Sequence, residues 1–202
     1  YTSTYTEILS NGDCEGTWIT GTDSNSVDWE RADGWLQDPT DTTTWWPQQE
    51  DTIVHGGSYS QKVTVGTQTY IWGGYINSVD LIEGETYEIS GWCYNDSGSA
   101  KDIDLQVNAG GGNAWSNTNT PYNYPLYLET QNITTGAWVE FSGVFTIPTL
   151  PVATLSGEID VVPTSCDVAF SVSGNTGGEV YYFDDISLRQ ISPPTSWTTD
   201  TN

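Results

Sequence analysis

Basic residues are almost missing from this chain: Arg31, Lys62, Lys101 and Arg189 are the only four among 202, against 27 acidic ones, for a formal charge of −23. Such a surface has little with which to neutralise phosphates, so it excludes nucleic acid and anionic membrane surfaces as partners. It disfavours uronate or sulfated polymers for the same reason. Methionine is absent altogether, as expected of a processed or excised fragment without an initiator or signal sequence. No run of about 18 apolar residues occurs, so no segment reads as a membrane-spanning helix. The single histidine, His55, precedes Gly56-Gly57 and reads as a turn residue rather than a catalyst. Three cysteines, Cys14, Cys93 and Cys166, allow at most one internal disulfide, and the sequence leaves the pair open. With no CxxC and no Cys/His cluster, zinc is not expected. Helical periodicity is also nearly missing, which removes the all-α and α/β classes.

What is abundant is aromatic. Ten Trp and twelve Tyr stand in a chain that is only 36% hydrophobic, more than a core built from Val, Ile, Leu and Phe requires. Period-two alternation predicts strands over residues 59–65, 69–76, 86–94, 102–107, 138–147, 155–162, 167–172 and 180–188. Turn-rich segments such as Asp96-Ser97-Gly98-Ser99 separate them. That pattern predicts an all-β jelly-roll sandwich of two antiparallel sheets spanning residues 1–191. Residues 192–202 are Pro/Thr-rich and read as a linker stub to neighbouring domains. Alternation also assigns faces. Ile103, Leu105 and Val107 go to the core and Asp102, Asp104 and Gln106 away from it; Trp92 and Tyr94 share the face opposite Ile89 and Cys93. In the last strand Asp184 alternates with Tyr182, Ile186 and Leu188, which predicts that it points inward. An inward carboxylate in a chain so poor in cations needs a partner, and a hard cation such as calcium would supply one.

Several stretches, in order, resemble one family. Asn11-Gly12-Asp13-Cys14-Glu15-Gly16 is similar to the Asn-Gly-x-Phe-Glu opening of carbohydrate-binding modules of families 4, 9, 16 and 22. Gly57-Ser58-Tyr59-Ser60-Gln61-Lys62-Val63, Leu81-Ile82-Glu83-Gly84-Glu85-Thr86-Tyr87 and Ala137-Trp138-Val139-Glu140-Phe141 resemble its inner strands. Tyr181-Tyr182-Phe183-Asp184-Asp185-Ile186-Ser187-Leu188 resembles its closing strand. The departures are Cys14 where Phe is usual, Glu83 where Pro is usual, and a long Trp-rich segment at residues 33–51.

The resemblance implies a jelly roll with a structural Ca2+ and a glycan cleft, and no catalysis by this domain. The implied calcium ligands are the carboxylates of Glu15 and Asp184, with backbone carbonyls near Asn11, Ser58 and Tyr59. The implied cleft lies on one sheet carrying residues 69–76, 86–94 and 102–107. Tyr70 or Trp72 and Trp115 would be its stacking plates, Trp92 and Tyr94 its floor, and Asp104, Gln106 and Glu88 its hydroxyl binders. An aromatic plate suits the C–H face of a sugar, and short polar groups suit its hydroxyls. Trp115 follows the Gly110-Gly111-Gly112 run of an exposed loop, Trp45-Trp46-Pro47 could form a wall, and Trp18 and Trp138 are assigned to the scaffold. The expected protein is a secreted, monomeric module of a larger chain that holds a neutral polysaccharide: β-glucan, xylan or glucomannan. Two alternatives stay open. A jelly-roll glycoside hydrolase could use outward Glu88, Asp104, Glu140 and Glu158 as its carboxylates, with a lyase less favoured because bases and cations are scarce; a calcium-stabilised adhesive module would carry no glycan site.

Overall fold

The computed structural model describes residues 5, 7–35, 45–67, 69–82, 84–110, 126–146 and 165–191. Within them run eleven strands and no helix: β1 (Trp18–Thr22), β2 (Asp28–Ala32), β3 (Trp45–Glu50), β4 (Ser60–Val65), β5 (Tyr70–Asp80), β6 (Thr86–Asn95), β7 (Lys101–Gly110), β8 (Leu126–Ile133), β9 (Trp138–Thr146), β10 (Ser165–Ser173) and β11 (Val180–Ile191). They form a five-stranded sheet, β3-β4-β11-β6-β9, a four-stranded sheet, β5-β10-β7-β8, and a separate β1-β2 hairpin. The fold is a jelly-roll sandwich, as the alternation predicts.

The period-two patterns work as expected. Along β6 every second residue is buried, from Tyr87 through Ile89 and Cys93. In β7 the core residues are Ile103, Leu105 and Val107. The two sheets meet through aromatic rings: Phe170 stacks on Phe183 with centroids 5.2 Å apart and meets Phe141 edge-on at 5.3 Å. Burying such rings is the main stabilising term, roughly 1.5–3 kcal/mol for each large side chain. Cys14 and Cys93 are both fully buried free thiols, so the core takes them as small apolar plugs. Burial pushes both thiols up, with Asp184 adding to the effect at Cys14.

Three sequence expectations change. Trp45-Trp46-Pro47, expected in a polar loop, is part of β3, which among the described residues pairs with β4 alone; an edge strand tolerates the missing N–H of a proline. Hairpin β1-β2 and strand β8 carry no strong alternation and are additions. The expected strand over 155–162 and the 192–202 linker lie outside the described residues.

The third change concerns Asp184. Its neighbours Tyr181 and Phe183 face the core, while Asp184 falls in register with outward Trp92. A bulge between Asp184 and Ser187, with Asp185 at φ 50°, then shifts the phase so that Ile186 and Leu188 return to the core. One extra residue flips every later side chain, so a uniform period through the strand misassigns Asp184. It is fully buried all the same, beneath the loop before β4.

Candidate functional site

On the four-stranded sheet, register lines up one row across all strands: Trp72 of β5, Ser171 of β10, Asp104 of β7 and Thr130 of β8. Asp104 is held at both oxygens. Its Oδ1 accepts from the Thr130 hydroxyl at 2.6 Å and its Oδ2 from the Ser171 hydroxyl at 3.3 Å. Two residue pairs further out, on the same face, Asn132 Nδ2 donates to Asp102 Oδ1 at 2.7 Å. Opposing polar residues on a pleated surface pair in this way and preorganise their carboxylates.

Gln106 lies two residues beyond Asp104, on the same face by alternation. Its side chain is fully buried, yet neither Oε1 nor Nε2 has a hydrogen-bond partner. A buried amide left unsatisfied costs about 1–3 kcal/mol. Both atoms are closed off from solvent, so the amide is a cost to the fold and not a contact for a ligand.

A second polar cluster surrounds the loop before β4. Oε1 of Glu15 accepts from the backbone N–H groups of Ser58 at 2.6 Å and Tyr59 at 2.8 Å. Asp184 Oδ2 accepts from those of His55 at 2.9 Å and Gly56 at 3.2 Å. Two carboxylates thus grip one loop from two sides. Close approach explains the Gly56-Gly57 pair. A Cβ on Gly57 would lie 2.3 Å from Glu15 Oε1, and its φ of +60° disfavours any side chain. Gly57→Ala is expected to lower stability by about 1–2 kcal/mol, the left-handed penalty, which a urea melt measures; an unchanged midpoint would remove Glu15 from its place over the loop.

Burial pushes the Asp184 carboxyl up to about 6, against the backbone hydrogen bonds of His55 and Gly56 that pull it down. No cation offsets this. Lys62, Lys101 and Arg189 are engaged by Glu50, Glu179 and Glu88 respectively, and Arg31 donates to the Trp35 carbonyl. Among the described residues no three His, Cys, Asp or Glu are gathered as a metal would gather them. A calcium ion here would rely on two carboxylates and peptide carbonyls. Such an all-oxygen donor set fits that cation.

A family model described as a carbohydrate binding domain, of the type grouping families 4 and 9, matches residues 6–165. The chain belongs to that family. No curated protein sequence matches it. Among solved structures this carbohydrate-binding domain resembles the CBM22-1 xylan-binding domain of Paenibacillus barcinonensis Xyn10C, with TM-score 0.56, 16% identity, and 96% of this chain and 100% of that one covered. It resembles the C-terminal family 22 module of Clostridium thermocellum Xyn10B, with TM-score 0.55 and 17% identity over 93% and 99% of the two chains. It also resembles the CBM22-1–GH10 modules of Clostridium thermocellum xylanase 10B complexed with xylohexaose, with TM-score 0.52 and 15% identity over 81% and 27%. At these identities the likeness is one of fold.

The expected cleft residues of this carbohydrate-binding domain do not share a sheet. Tyr70 and Trp72 lie on β5 and Asp104 and Gln106 on β7, with β10 between those strands. Trp92 and Tyr94 lie on β6 of the five-stranded sheet, and Trp46 on its edge strand. There His55 stacks on Trp92 with ring centroids 3.8 Å apart, and its Nδ1 donates to Asp185 Oδ2 at 2.6 Å. Trp138 and Tyr182 meet Tyr94 edge-on, both at 5.6 Å, which makes Trp138 part of an outward aromatic cluster. Trp92 and Tyr94 therefore do not floor a cleft that Trp72 walls. Trp115 lies outside the described residues. Glu88 is paired with Arg189 on the five-stranded sheet, away from Asp104, so these two do not form the carboxylate pair of a hydrolase. Asn11 stands at φ 59°, its side chain bonded to the backbone of Gly16 and Thr17 and its carbonyl accepting from Cys14 N and Trp35 Nε1. These bonds give it a turn-building role.

Proposed function

We propose that this carbohydrate-binding module holds a neutral β-linked polysaccharide, with xylan the first candidate, on the outer face of β5-β10-β7-β8, without transforming it. The observation that carries this reading is the row of Trp72, Ser171, Asp104 and Thr130, whose carboxylate is fixed at both oxygens as an acceptor. A sugar hydroxyl is a donor that suits it. The xylan-binding names of the similar structures support the choice of polymer. The chain's charge of −23 supports a neutral one.

The module works, on this reading, as one part of a secreted multidomain chain, carrying the glycan-active portion to its polymer. Calcium is structural. Glu15 and Asp184 would supply its carboxylates and the peptide carbonyls of Ser58 and Tyr59 its neutral oxygens, while the bound ion would neutralise Asp184 and lock the loop.

Affinity electrophoresis in gels containing xylan, β-glucan and glucomannan tests the function directly, with retardation by at least one of them expected. Mobility unchanged in all three would overturn it. Binding to the best polymer should change less than twofold between low and high salt, because a neutral glycan releases no counterions. A tenfold loss at high salt would mean that the ligand is charged.

A further inference from the structure

The polar members of the row across the four-stranded sheet differ in what they still have to offer a ligand. The Thr130 hydroxyl donates to Asp104 Oδ1 at 2.6 Å and the Ser171 hydroxyl to Oδ2 at 3.3 Å. A hydroxyl has one proton and a carboxylate none, so both hydroxyls have committed theirs to Asp104. Ser171 is fully buried and holds the carboxylate from beneath. Asp104 is half-buried and Thr130 exposed. What the surface presents here is therefore the remaining lone pairs of Asp104 and of the Thr130 oxygen. They accept and cannot donate.

The surroundings do little to change that balance. Further along the same face Asp102 accepts from Asn132, which leaves that amide a single N–H. The four cations lie elsewhere. Lys62 and Arg189 are paired with Glu50 and Glu88 on the five-stranded sheet, and Arg31 sits on β2. Lys101 begins β7 but alternates to the opposite face from Asp102, where it reaches the Gly174 carbonyl at 2.7 Å and Glu179 at 3.4 Å. A free threonine or serine hydroxyl could rotate to suit donor or acceptor. One pinned by a carboxylate cannot, because turning away breaks a charge-assisted bond.

Resting on the sheet-face reading above, we propose that this site reads the hydroxyl protons of its polymer. It takes stretches whose hydroxyls are free and rejects those in which an ester or ether replaces the proton at the contacted position. An O-acetyl or O-methyl group keeps oxygen acceptors but removes the donor. Set against Asp104, it would oppose lone pairs to lone pairs and leave the carboxylate without a partner. A site built to bond a hydroxyl discriminates strongly against an analogue that lacks it. Asp104 is the reader, and Thr130 is the residue that fixes its specificity.

Isothermal titration tests this with xylohexaose and two analogues, in which fluorine replaces every 2-hydroxyl or every 3-hydroxyl. Fluorine adds no bulk, accepts weakly and donates nothing, so steric exclusion does not enter. Should electrophoresis favour β-glucan or glucomannan, the corresponding hexasaccharide and its fluorinated forms take the place of xylohexaose. The wild type should prefer the parent sugar to at least one analogue by tenfold or more. Asp104→Ala should shrink that preference at least threefold. Asp104→Asn, which puts an N–H donor where an oxygen stood, should do the same and decides the matter if the alanine variant does not fold. Thr130→Val should bind the parent sugar at least threefold more weakly with the preference kept, and Thr130→Ser should behave as the wild type. Analogues bound as tightly as the parent by the wild type overturn the inference, as does a preference of undiminished size in the Asp104 variants. A preference lost in Thr130→Val overturns it too, since the threonine hydroxyl would then be the reader. The proposed function fails by different results: no polymer bound at all, or wild-type affinity for the parent sugar in Asp104→Ala, either of which removes the site and this inference with it.

Discussion

Gln106→Leu is expected to make the protein more stable and to leave binding unchanged. Leucine keeps most of the volume and removes two polar atoms that have no partner in the free protein. The fully buried site should then gain about 1 kcal/mol, toward the lower end of the range for an unsatisfied buried amide. Asp104→Ala should instead lower affinity for xylohexaose at least tenfold, or about 1.4 kcal/mol, because a sugar hydroxyl loses an acceptor that Thr130 and Ser171 hold in place. Trp72→Ala should lose a comparable amount, near the scale of one aromatic contact. Isothermal titration and urea melts on the same preparations decide both. Wild-type affinity in Asp104→Ala would remove the sheet face as the site.

The second large effect concerns Asp184. Adding calcium at 100 times its dissociation constant should raise stability by about 2.7 kcal/mol if the ion binds only the folded chain, and Asp184→Ala should abolish the difference between calcium and chelator melts. The pH dependence has a definite sign. In chelator the folded carboxyl holds its proton up to about 6, whereas its ordinary value is 3.8. Between those values the folded state binds more protons than the unfolded one, so stability falls as pH rises through that window. Calcium requires the ionised carboxylate, so the gap between the two melts should widen over the same rise in pH. Asp184→Asn, neutral at every pH, should be more stable than wild type in chelator at pH 7 and indifferent to calcium. A full calcium shift in either variant would show that the ion, if it binds, binds elsewhere.

How much of this could be read from the chain is clearest in β6 and β7. Each is buried on one side, so the choice between core and solvent is written into every second residue. Ile103, Leu105 and Val107 were assignable without coordinates, as was Asp104 on the opposite face; Gln106, expected at the surface, is fully buried. The same reading failed in β11, where the bulge at Asp185 breaks the period. It also passed over β1-β2, whose turn is closed by Asp23 accepting from the N–H groups of Asn25 and Val27, because neither short strand alternates cleanly. In β3, the polar surroundings of Trp45-Trp46-Pro47 hid a strand whose edge position accommodates Pro47.

The sequence by itself determined the class of fold, the in-or-out face of most strands and the acidic surface. Burial and turn chemistry are local, and a chain records them residue by residue. Only the tertiary structure decided which strands share a sheet. β10 inserts between β5 and β7, and β11 pairs with β6 across roughly ninety residues of sequence. A strand's alternation says which side meets water but not which strand lies beside it, since that is settled by long-range hydrogen bonding and by the closing of the whole sandwich. Trp92 and Trp72, alike in pattern, therefore stand on different sheets, and the orphan amide of Gln106 becomes visible only once its neighbours are in place.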